Sequence, residues 1–206
     1  MKIISYPAGI YDANCYIIFD DMDPEREGLL IDPGGDAEDI LNKVKQNNIN
    51  VKYIFLTHGH FDHNGGVNTI KSNLNIPVYI SAKDNCFINS EDKNFVGFSP
   101  QYESIDADSF LKDGDILNFG QEKLEIIETP GHTQGGITIK IRDSIFSGDT
   151  LFKGSVGRTD LTGGSQKQLI DAIKNKLLIL PDDTIVYPGH GPLTTIGYEK
   201  VKNPFL

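Results

Sequence analysis

The stretch Thr57-His58-Gly59-His60-Phe61-Asp62-His63 decides how this chain is read. It follows the apolar run Tyr53–Leu56, which reads as a strand, and it precedes Gly65-Gly66. Side chains alternate along an extended segment, so His58 and His60 leave the strand end on one side and can converge on a single ion. Asp62 and His63 lie further along the loop, within reach of a second ion. Neutral imidazole and carboxylate are the usual donors of catalytic zinc and related metals. Glycine between the first two histidines and the glycine pair after the motif permit the tight backbone that such convergence requires.

The chain has five histidines, and the other two sit in Thr129-Pro130-Gly131-His132-Thr133 and Tyr187-Pro188-Gly189-His190-Gly191. Each follows a predicted strand, Lys123–Ile127 and Thr184–Val186, and loops at strand ends hold side chains over a rigid sheet. Ser147-Gly148-Asp149-Thr150 adds a carboxylate after the short strand Ser144–Phe146. Its two oxygens can bridge ions ~3.5–4 Å apart, the separation of two-metal hydrolytic sites. A lone turn aspartate would ordinarily be structural, but five clustered histidines change that reading. No cysteine lies near these motifs, and about three protein donors per ion leave room for water, so the site reads as open and catalytic.

Around these motifs the pattern alternates strands with helices. Ile3–Tyr6, Cys15–Phe19, Leu29–Ile31, Val78–Ile80, Ile116–Phe119 and Ile137–Ile141 are further predicted strands. Helical spacing predicts Asp36–Asn47, Val67–Leu74 and Gln166–Leu178 as helices. The order suggests an α/β chain built as a four-layer α/β/β/α sandwich. Asn89–Gln101 is the least regular stretch and reads as a surface loop, with a lid beside the site as the alternative.

At 206 residues the expectation is one domain spanning 1–206, and 38% hydrophobic content is enough for a real core. A formal charge of -10 argues against nucleic acid as a partner. No apolar run approaches the ~18 residues of a membrane span, and no leader is evident, so a cytoplasmic protein without a membrane partner is expected. Cys15 and Cys86 lack metal-type spacing and are expected to be reduced, buried thiols.

The combination His-x-His-x-Asp-His, Pro-Gly-His-Thr, Ser-Gly-Asp-Thr and Pro-Gly-His-Gly resembles the metallo-β-lactamase-fold hydrolases, and most of all their glyoxalase II (hydroxyacylglutathione hydrolase) branch. The likeness runs from Asn14-Cys15-Tyr16 and Ile31-Asp32-Pro33-Gly34-Gly35 to Gly197-Tyr198-Glu199. It implies two divalent metal ions, zinc before iron or manganese. One would be held by His58, His60 and His132, the other by Asp62, His63 and His190, with Asp149 between them. Asp62 and Asp149 would be the carboxylates on which catalysis turns, with Asp32 and Thr57 (and equally Thr133) orienting ligands from behind. Arg158, with Lys153, would contact an anionic substrate. The substrate implied is a small-molecule thioester such as a 2-hydroxyacyl-glutathione.

Two departures from that branch stand out. Only Pro192–Leu206 follows the last histidine, where the branch carries a C-terminal helical glutathione-binding domain, so none is expected here. Gly157-Arg158-Thr159-Asp160, with no tyrosine shortly after, looks as much like the persulfide dioxygenases. Those would use one iron on His58, His132 and Asp149. A β-lactamase is disfavoured by Asp149, a nuclease by the acidity of a short chain, and a non-catalytic metal-binding module by the intact set of donors.

Overall fold

A computed structural model describes residues 1–89 and 103–206. The predicted loop or lid at Asn89–Gln101 falls, but for Asn89, outside the described residues. The first half forms a six-stranded sheet in the order β1 (Lys2–Ala8), β2 (Ala13–Phe19), β3 (Glu27–Ile31), β4 (Asn50–Phe55), β5 (Val78–Ser81) and β6 (Ser109–Leu111). Its first two pairings are antiparallel and the rest parallel. Helices α1 (Ala37–Gln46) and α2 (Val67–Leu74) supply the crossovers of β3 to β4 and β4 to β5, and α3 (Asn85–Ile88) follows β5.

The second half mirrors this plan. β7 (Ile116–Phe119), β8 (Glu122–Glu128), β9 (Ile137–Ile141) and β10 (Ser144–Gly148) form an antiparallel run. After the small hairpin β11 (Leu151–Phe152) and β12 (Ser155–Val156) comes α4 (Gln166–Ala172). β13 (Ile185–Pro188) then joins β10 in parallel, β14 (Thr194–Thr195) closes that edge, and α5 (Ile196–Lys202) ends the chain. The expected helix to Leu178 is present, but its second part, Ile173–Leu177, is wound as a π-turn.

Alternation along the strands explains the layers. Cys15, Ile17 and Phe19 pack with Ile40, Val44, Val67 and Ile70 beneath α1 and α2. Tyr16 and Ile18 face the other way, toward Leu124, Ile126, Ile139 and Phe146 of the second sheet. On that sheet's far face Ile145 and Val186 meet Leu169 of α4 and Ile196 of α5. β2 and β10 are buried along both faces, which is why their sequences are continuously apolar instead of alternating. The four-layer sandwich is therefore observed.

Six short elements have no counterpart among the predicted ones: β6, β11, β12, β14, α3 and α5. None carries a periodic signal, and α5 has Gly197 in its first turn and Val201 exposed. Pro7 lies inside β1, which is tolerated because β1 is a sheet edge. Cys86 corrects an expectation. Cys15 is buried as expected, but Cys86 is exposed, since α3 directs its neighbours Phe87 and Ile88 inward instead. Among the described residues no helix is long and apolar enough to cross a membrane.

Candidate metal centre

The three histidine-bearing loops and the Asp149 loop meet at one end of the paired sheets. His58 follows β4, His132 follows β8, Asp149 follows β10 and His190 follows β13. Close backbone packing makes this possible. Gly148 has φ +48, and a Cβ there would lie 2.3 Å from Thr57 Oγ1. A Cβ on Gly189 would fall 2.2 Å from Asp149 Oδ1 and 2.8 Å from His63 Cε1. The glycines thus leave room for the functional side chains themselves.

Two groups of donors result. His58, His60 and His132 offer nitrogens within 4.8 Å of one another, and so do the nitrogens and carboxylate of Asp62, His63 and His190. Asp149 stands between the groups. Its Oδ1 is 3.4 Å from His63 Nε2, and its Oδ2 is 3.6 Å from His132 Nε2 and 3.8 Å from His190 Nε2. His190 Nε2 lies 3.3 Å from Asp62 Oδ2, and His132 Nε2 lies 2.9 Å from His60 Nδ1. All seven residues named from the sequence as metal donors are therefore brought together.

Hydrogen bonds behind the site set the tautomers. Asp32 accepts from Thr57 N at 2.7 Å, from Thr57 Oγ1 at 2.6 Å and from His63 Nδ1 at 3.0 Å. Thr57 Oγ1 spends its proton on Asp32, so it can only accept from His58 Nδ1 at 3.1 Å. His132 Nδ1 donates to the carbonyl of Arg158 at 2.8 Å. In His58 and His132 a partner thus holds the proton on Nδ1, leaving Nε2 its lone pair for the cluster. Asp32 likewise accepts the Nδ1 proton of His63. Asp32 also lies near His58 and His63 as a third possible donor set, but its oxygens are occupied by these bonds.

The donor chemistry fits cations. Among the described residues, the buried side-chain atoms without a hydrogen-bond partner include His58 Nε2, His63 Nε2 and Asp149 Oδ1. Buried polar atoms are rarely left unpaired, and here all three face the cluster. Burial drives the His58 pKa well below its usual value, with the neighbouring histidines adding to the effect, and takes His60 down to about 4. Both rings are neutral at pH 7. Burial would do the same to His63, but Asp149 and Asp32 override it and raise that ring well above its usual range. Burial likewise works to raise Asp149 and Asp62, and the surrounding histidines pull both below the ordinary carboxylate value. The electrostatics thus draw positive charge to the space between the two groups.

The side chains of the two expected substrate contacts are engaged with partners of their own. Arg158 Nε and Nη2 donate to the two oxygens of Asp160 at 2.7 and 2.8 Å, and both side chains are exposed. Lys153 sits over the Tyr198 ring, 5.7 Å from its centroid. Beside Asp62 opens a cavity of 680 Å³, lined in part by Ile10, Asp36, Phe61, Asn68 and Glu103.

Several supporting groups are not named by the sequence reading. Asn14 Nδ2 donates to the carbonyls of Pro188 and Gly191, and Tyr16 Oη donates to Pro188 O at 2.6 Å, anchoring the His190 loop. The Arg158 contribution comes from its backbone, which no side-chain motif announces. Asp84 is completely buried behind the site, and the polar stretch Lys83-Asp84-Asn85 gives no sign of it.

Comparison with known proteins agrees with this geometry. Residues 8–190 match the family model described as the Metallo-beta-lactamase superfamily. The hydroxyacylglutathione hydrolase GloC of Haemophilus influenzae is 38% identical, with 100% of this chain and 98% of GloC covered. Among solved structures, BLEG-1, a B3 metallo-β-lactamase, superposes with a TM-score of 0.92 at 37% identity, covering 100% of this chain and 99% of that one. TTHA1623, crystallised in a di-iron-bound form, superposes with a TM-score of 0.85 at 33% identity, covering 98% and 100%. On its fold, its histidine and aspartate motifs and these relatives, the chain belongs to the metallo-β-lactamase superfamily.

Proposed function

We propose that the protein is a dinuclear metallo-hydrolase that cleaves a small thioester, a 2-hydroxyacyl-glutathione or a related thiol ester. The carrying observation is the convergence of three unpartnered buried atoms, on His58, His63 and Asp149, between two three-donor groups that Asp149 spans. His58, His60 and His132 would hold one ion and Asp62, His63 and His190 the other. Zinc suits nitrogen and carboxylate donors, and iron is supported by the di-iron form of a 33% identical structure. Divalent ions held there would supply hydroxide at neutral pH and polarise a carbonyl.

The protein's own groups fit direct hydrolysis. Thr150 Oγ1 is buried against Thr129 Oγ1, and Ser155 Oγ faces the Val156 carbonyl. Neither has a histidine to activate it, because all five belong to the donor groups. Asp62 is held by His190 and serves as a donor, not as a free base. A thiolate leaves without a dedicated general acid. The thioester assignment is supported by the likeness to GloC, and β-lactam hydrolysis is a second reading favoured by the likeness to BLEG-1.

The test uses protein purified without added metal. Elemental analysis is expected to approach two ions per chain, and S-lactoylglutathione is expected to release free thiol without oxygen uptake. In labelled water a single turnover should place label directly in the product acid. Hydrolysis of a chromogenic cephalosporin with inert thioesters would move the assignment to the second reading. Oxygen consumption on glutathione persulfide without thioesterase activity would identify the dioxygenase instead.

A further inference from the structure

Asp84 is fully buried, carries a carboxylate and belongs to neither donor group. It ends the single turn Ala82–Asp84 behind β5. Its Oδ2 accepts from Gly59 N at 3.0 Å and from Thr133 Oγ1 at 2.7 Å, and its Oδ1 accepts from Gly135 N at 2.7 Å. Gly59 lies between His58 and His60, and Thr133 directly follows His132. One carboxylate therefore ties together the two loops that carry His58, His60 and His132. Its hydrogen bonds go to those loops and not to Asp62, His63 or His190.

Packing leaves little slack in this link. A Cβ on Gly59 would lie 2.9 Å from the Asp84 carbonyl oxygen, and one on Gly135 would lie 2.6 Å from Asp84 Cγ. Both loops thus approach Asp84 through bare backbone. Carboxylates that bond backbone N–H groups make charge-assisted hydrogen bonds, stronger than neutral ones and fixed in direction. The distance between His60 and His132 is what an ion shared by them must match, and Asp84 holds both sides of it.

We infer that Asp84 is a positioning residue that sets the spacing of the His58, His60 and His132 donors and so governs retention of the ion they would hold, while the second ion depends on other supports. The inference rests on the two-ion reading above. Asp84→Asn is the direct test. An amide has one acceptor atom, so its NH2 must face either Gly135 N–H or Gly59 N–H, and the hydrogen bond on that side is lost. Loss of such supporting partners typically weakens metal binding 10–100-fold.

The experiment titrates zinc into metal-stripped full-length protein, for wild type, D84N, H190A and the double variant. Wild type should take up two ions. D84N should bind one as wild type does and the other at least tenfold more weakly. H190A weakens the opposite group, so the double variant should retain no tightly held ion. A double variant that binds as much zinc as H190A alone overturns the inference, as does D84N binding both ions with wild-type affinity. Should D84N not fold, Thr133→Val decides in its place. It removes one hydrogen bond to Asp84 with little change of shape, and should weaken the same ion severalfold. Wild type taking up a single ion would sink the two-ion reading and this inference together.

Discussion

Replacing Asp32 by Asn tests the proton logic of the site most directly. Asp32 sits at φ 51°, a left-handed conformation that Asn adopts readily, so the backbone is left unstrained. The carboxylate accepts three hydrogen bonds, from Thr57 N, Thr57 Oγ1 and His63 Nδ1. An amide keeps an acceptor for Thr57 N but turns its NH2 toward His63. The ring must then accept at Nδ1 and carry its proton on Nε2, the atom that faces Asp149 and the proposed ion. Binding would first require that proton to move. On the scale of lost supporting partners this is roughly 10–100-fold in affinity, about 1.4–2.8 kcal/mol. The metal-free protein should also lose roughly 3 kcal/mol, because a buried charge pair loses one member. Zinc titration with urea denaturation of the stripped protein measures both, and the weakened ion should be the one assigned to His63. Unchanged affinity for both ions would refute the tautomer argument, whatever happened to stability.

Acid should destabilise the metal-free protein in a defined window. Burial lowers His60 from 6.5 to about 4, so its contribution is complete above pH 6.5 and is lost as pH falls toward 4, about 3 kcal/mol in all. His63 acts in the opposite sense, its contribution being lost only as pH rises above 6.5. Urea midpoints at pH 7 and 4.5 check this, and equal values at the two would contradict it. Arg158→Ala should raise KM for an anionic thioester about tenfold with little change in kcat, leaving a neutral thioester unaffected. An unchanged KM would mean that the Arg158–Asp160 pair only fixes the loop. Asp149→Asn should lose at least one ion in elemental analysis, since Asp149 faces both groups. Two tightly held ions in that variant would remove its bridging role.

The candidate donors were legible from sequence because metal chemistry restricts residue type and local spacing. His58, His60, Asp62 and His63 announce themselves within one loop, and the pairs Gly131-His132, Gly148-Asp149 and Gly189-His190 each mark a strand end. The layers were legible because burial on both faces leaves continuous apolar runs such as Cys15–Phe19 and Ser144–Phe146. What holds the donors in place was not. The Arg158 carbonyl has no side-chain signature, and Asp84, Asn14 and Tyr16 act on partners as far as 177 residues away. Cys86, expected inside, is outside because the facing of a four-residue helix is set by its neighbours. Residue type is a local property that chemistry selects directly. The partner of a buried carboxylate or carbonyl is decided only when the two sheets pack and bring remote loops within hydrogen-bond reach.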